Sequence, residues 1–104
     1  MTAFNIVRMR AKPGDEDELI KVAKAQRRDH LEGLRSAWLV KTGERTYHFI
    51  GRWDSMEHLV AARPHMLKNL DASRPFLEDL GEGLGITDAA SGETVVELYR
   101  RQDR

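Results

Sequence analysis

An α+β fold, with one antiparallel sheet backed by helices on a single face, is what this sequence predicts. Two observations carry that expectation. Hydrophobic spacing switches along the chain between a strand-like period of 2 and a helix-like period of 3.6, and Gly, Pro or a charged cap stands at each switch. Taken in order, the segments read strand, helix, strand, strand, helix, strand.

The first strand, residues 4–11 (FNIVRMRA), alternates partly and stops at the turn signal Lys12-Pro13-Gly14. Residues 15–33 (DEDELIKVAKAQRRDHLEG) read as a helix. Acidic residues stand at its positive end and Lys24, Arg27 and Arg28 lie towards its negative end. Leu19, Ile20, Ala23 and Leu31 form its apolar stripe, and Gly33 is a fitting stop. Residues 34–41 (LRSAWLVK) and 45–53 are expected as a strand hairpin around Thr42-Gly43-Glu44. Asp54, with Glu57 three residues on, reads as the cap of a second helix. Its apolar side carries Met56, Leu59 and Val60; Pro64 is expected to break it and open a further helical piece with Met66, Leu67 and Leu70. RPFLEDL reads as a third short helical piece, GEGLGITDAASG as a loop, and residues 94–101 (TVVELYRR) as the last strand. This β-α-β-β-α-β order is the split βαβ of ferredoxin-like folds.

The 104 residues make one domain, spanning 1–104, with room for a single core. Seventeen basic and seventeen acidic residues cancel, which argues against a nucleic-acid partner. The absence of cysteine removes disulfides, thiolate metal sites and cysteine nucleophiles. No stretch has the length of a signal peptide or a membrane span, so the expected location is the cytoplasm, without a membrane partner.

Split by alternation, the strands offer two sets of side chains, and neither is plainly solvated. Helices can cover only one face. The other, apolar but dotted with Asn, His, Arg, Ser or Thr, is expected to meet a second copy of the chain, giving a homodimer packed sheet to sheet.

Four features then carry a family resemblance: an opening strand ending in KPG before an acidic helix start, the stretch HLEGLRSAWLV, the strand-to-helix junction FIGRWDSMEHLVAA, and a C-terminal strand after a long loop. On these the chain, roughly residues 4 to 100, resembles the antibiotic biosynthesis monooxygenase-like family of dimeric α/β barrels. The resemblance implies a pocket between the sheet and the helix after the third strand, and a monooxygenase that oxidises a small aromatic or quinone-like compound with O2, without metal or flavin. Such a site needs an apolar aromatic-lined cavity, one or two hydrogen-bond donors and a base. Haem-degrading relatives instead use a strand Asn, which Asn5 would match. The Asn and Trp that some aromatic-substrate relatives carry on the helix after the third strand are expected to have no counterpart in MEHLVAARPHMLKNLDA. A non-catalytic small-molecule-binding or interaction protein of the same fold is the alternative reading.

His48 is the candidate base, because histidine as a residue type titrates near neutrality. Arg52 lies four residues on, about 13 Å away by strand rise, at a distance that would bracket a sizeable ligand. Trp38 and Tyr99 are candidate walls for a flat substrate, and Asn5 and His65 complete the expected substrate-binding set. Trp53 reads as a packing anchor. His58 and His65 stand about 10 Å apart along a helix axis, too far to share one ion, and no metal or other cofactor is expected. GEGLG follows a helix where a phosphate loop would follow a strand, and no serine nucleophile elbow occurs.

Overall fold

The computed structural model describes residues 2–102. Its elements are β1 (Ala3–Arg10), α1 (Glu16–Ala25), β2 (Leu34–Gly43), β3 (Thr46–Trp53), α2 (Met56–Ser73), a 3-10 turn (Arg74–Phe76) and β4 (Asp88–Glu93). The strands make one antiparallel sheet in the order β2-β3-β1-β4, the ferredoxin-like α+β arrangement that the segment order predicts. No helix among the described residues is long and apolar enough to cross a membrane.

Pairing of β1 with β3 sets Asn5 opposite Gly51 and Met9 opposite Tyr47, so alternation delivers these side chains to the face that the helices cover. Two buried clusters form there. Ala3, Leu31, Trp53, Leu59 and Ala62 make one; Met9, Ala11, Leu19, Tyr47 and Leu77 make the other. Trp53, Leu19 and Leu59 are the largest fully buried side chains, each contributing roughly 1.5–3 kcal/mol by leaving water. The register of β2 against β3 shifts twice, between Leu34 and Ser36 and again between Lys41 and Gly43. Leu34 pairs with Trp53 but Ser36 with Arg52, a bulge that lets Leu34 join the core while Ser36, Trp38 and Val40 keep to the open face.

Four expectations need correction. The last strand is Asp88–Glu93 and not residues 94–101. The small side chains of DAASGE fit beside β1, Asp88 pairs with Arg8 at 3.2 Å, and the ladder ends where the Thr94 N–H donates to the Thr2 carbonyl. The first helix stops at Ala25: Gln26 turns extended, and Arg28 donates to the Ala23 carbonyl at 2.9 Å, serving as a side-chain cap. Ser55, not Asp54, caps α2, its hydroxyl accepting from the His58 N–H at 3.2 Å, while Asp54 is drawn to Arg35 at 2.6 Å. Pro64 does not break α2, which runs unbroken through it. The carbonyl that proline leaves unpaired belongs to Val60, an exposed residue, so water reaches it.

A cavity between sheet and helices

The two core clusters leave between them a cavity of about 440 Å³, of the size that takes a small organic ligand. Val7 and Phe49 form its floor on the sheet, Leu19 on α1 and Met66 and Leu70 on α2 form its walls, and the short side chains of β4 border its mouth.

Asn5, which is 6% exposed, is its most deeply set polar group. The Trp53 indole N–H, which can only donate, gives to Asn5 Oδ1 at 2.8 Å. That bond fixes the amide orientation and turns Nδ2 towards the cavity side, where the weak acceptor Met66 Sδ lies at 3.6 Å. Gly51 makes room for the arrangement: a Cβ there would stand 2.4 Å from Asn5 Oδ1.

The charged groups of the lining are cations. Arg28 rises from the loop after α1, its guanidinium carbon 5.5 Å from the Phe49 ring centroid. It donates to the Gln26 side-chain oxygen at 3.0 Å, and Gln26 in turn donates to the Asn69 carbonyl on α2 at 2.7 Å. Partial burial pulls the Arg28 guanidinium below its ordinary pKa. Arg63 stands at the mouth and donates to Ser91 of β4 at 3.1 Å. No Asp, Glu, His, Lys or Tyr is among the described lining residues.

Of the side chains singled out from the sequence, the structure brings Asn5 to this cavity. His48, Trp38 and Arg52 share the opposite, open face of the sheet. His48 Nδ1 lies 2.9 Å from the Thr42 hydroxyl, Trp38 is 48% exposed, and Arg52 pairs across to Phe4 and Ser36. His65 is exposed on α2 with its ring edge-on to His30 at 5.4 Å, in a separate surface groove. Tyr99 lies beyond β4 and is exposed. Among the described residues no group of three or more His, Asp or Glu is placed to hold a metal.

Gln26, Arg28, Arg63 and Asn69 were not expected in the site. Arg28 reads, with Lys24 and Arg27, as part of the charged end of a long helix in which Gln26 also falls. The one sequence signal for them is the polar run QRRDH, which interrupts the apolar period between Ala23 and Leu31.

No protein-family model matches the chain, and no curated protein matches it. Solved structures do. A candidate antibiotic biosynthesis monooxygenase from Chloroflexus aurantiacus is 20% identical, with 93% of this chain and 96% of that one covered and a TM-score of 0.67. A variant of SnoaB, a cofactor-independent oxygenase from Streptomyces nogalater, is 15% identical over 95% and 98% of the two chains, with a TM-score of 0.71. A dimeric ferredoxin-like protein from an uncultured marine organism is 14% identical over 96% and 93%, with a TM-score of 0.72. The chain thus has the fold of the antibiotic biosynthesis monooxygenase-like proteins.

Proposed function

We propose that this chain is a cofactor-independent monooxygenase acting on a small aromatic or quinone-like compound, and that it works as a homodimer. The observation that carries the reading is the cavity on the helix-covered face, apolar on its walls and provided with a fixed amide donor at Asn5. The likeness in fold to SnoaB, a cofactor-independent oxygenase, supports it.

In this reading an electron-rich substrate such as an anthrone lies against Phe49 and loses a proton. Its carbanion then supplies electrons to O2, so that a ring CH2 becomes C=O and the second oxygen atom leaves as water. The Asn5 Nδ2 donates to the substrate oxygen on which negative charge accumulates. A reaction run in this cavity gives His48 no role as base, since His48 stands across the sheet. The cations at Arg28 and Arg63 favour ionisation of the substrate itself, with water receiving the proton.

A second reading, a small-molecule-binding protein without turnover, is favoured by the lack of any titratable base among the described lining residues. Oxygen uptake separates the two. With metal-free protein and 1,8-dihydroxyanthrone as probe, the oxygenase reading expects protein-dependent O2 consumption that drops about tenfold or more in Asn5→Ala and is unchanged in His48→Ala. Saturable binding with no O2 uptake would sink the oxygenase reading and leave the binding one.

The open face and the chain beyond β4 support the homodimer. Ile6, Trp38 and Val40 are exposed on one continuous surface of the sheet, and Val95 and Leu98 are 86% and 89% exposed in an alternating segment that has no strand partner among the described residues. A second copy offers both a cover for the face and an edge for the segment.

A further inference from the structure

Arg28 is a partly buried cation with no acidic partner among the described residues, facing a cavity whose other charged lining residue is also an arginine. The whole chain has zero formal net charge, with seventeen acidic residues available for pairing. Arg8 pairs with Asp88, Arg10 and Arg45 with Glu78, Arg35 with Asp54 and Arg74 with Asp71, whereas Arg52, Arg63 and Arg101, which also lack an acidic partner among the described residues, are exposed. Taking a guanidinium partly out of water without a counter-charge costs free energy that a ligand's negative charge would return.

The hydrogen bonds of Arg28 say which of its donors are left for that ligand. A guanidinium has five N–H groups. Nη1 gives to the Ala23 and Gln26 carbonyls at 2.9 and 3.4 Å, and Nη2 gives one hydrogen to Gln26 Oε1 at 3.0 Å. The Nε–H and one Nη2–H therefore have no partner among the described residues, and two donors on adjacent nitrogens match the two oxygens of a carboxylate. Gln26 holds the group in place by reaching from Arg28 to the α2 backbone at Asn69. Phe49, beneath the guanidinium carbon at 5.5 Å, supplies an aromatic surface at the same end of the cavity.

We infer that the cavity selects an aromatic ligand that carries a carboxylate, with Arg28 as the residue that recognises the anion and Gln26 as the residue that positions Arg28. The inference rests on the cavity being the ligand site, and it names the class of ligand admitted there.

The test is equilibrium binding by fluorescence titration with anthracene-2-carboxylate and its uncharged amide. Wild type is expected to prefer the carboxylate by about tenfold or more, as a two-bonded charged contact should. In Arg28→Gln the preference should fall to near unity while the amide binds as before, and Arg28→Lys should restore part of it. Gln26→Ala should weaken the carboxylate and spare the amide. Equal binding of the two probes by wild type, or a preference that survives Arg28→Gln, overturns the assignment while the cavity stands. Binding of neither probe overturns the cavity as ligand site, and this inference with it. Amide affinity serves as the folding control for each variant.

Discussion

Asn5 joins a strand of the sheet to the core through one buried amide. Its oxygen is the partner of the Trp53 indole N–H, and the absent side chain at Gly51 is what lets the two meet. Asn5→Ala leaves that N–H buried without a partner, and the cost is expected to be about 1–3 kcal/mol. Gly51→Ala places a Cβ where the Asn5 oxygen stands, with a penalty of about 1–3 kcal/mol for overpacking. Because the two changes act on one contact, the double variant should be less destabilised than the two single effects added together, by more than about 0.5 kcal/mol. Urea denaturation of the four proteins measures this, and strict additivity would show that the contact is not shared. Asn5 was legible as a site candidate, as the match to the strand Asn of the haem-degrading relatives. The bond to Trp53 was not, because the two lie 48 positions apart and only strand pairing brings them together.

At the scale of elements, the segment after α2 is fastened to the end of β1. The Glu78 N–H donates to the Arg10 carbonyl at 2.9 Å, and the Lys12 N–H to the Phe76 carbonyl at 2.8 Å. The Glu78 carboxylate accepts from both Arg45 and Arg10. Arg45 first, then Arg10, hold Glu78 below its ordinary pKa of 4.5. A carboxylate depressed in the folded state stabilises it above the unfolded pKa and stops doing so as pH falls through the folded value. The urea midpoint of Glu78→Gln should thus lie below that of wild type at neutral pH, and the gap should close as pH drops below 4.5. A gap that is constant down to pH 3 would exclude the charge as its source. The helices and the hairpin were readable because apolar period and turn residues agree there. The last strand was misplaced because TVVELYRR has the stronger strand propensity, whereas DAASGE has the free edge of β1 to pair with; tertiary pairing outweighed propensity. Arg28 was hidden for a related reason. Its charge looked like a complement to a helix end, while its side chain in fact ends the helix and reaches the cavity.

For the whole molecule the two faces of the sheet have separate tasks. One carries the core and the cavity; the other carries His48, Trp38 and Arg52 on an apolar surface that nothing in the chain covers among the described residues. If a second copy covers it, wild type sediments as a dimer at micromolar concentration and Trp38→Lys, which puts a charge on that face, shifts it to monomer. Sedimentation velocity reads both, and a wild-type monomer would rule out the dimer. Trp38→Lys should leave probe binding in the monomer intact, since Trp38 is on the far side of the sheet from the cavity. The doubled apolar pattern of the strands was visible in the sequence. Which face held the cavity was not, since alternation separates two sets of side chains without saying which one the helices choose.

The short side chains of β4 have one more consequence. Ala89 and Ser91 border the mouth of the cavity on an edge strand whose residues are all exposed, so no buried cluster depends on their size. The girth of what can pass is therefore set in a part of the molecule free to vary. On the reading of the cavity as a ligand site, descendants of this sequence could widen or narrow the range of ligands admitted by changing one alanine at the rim, and the folding free energy would scarcely register the change.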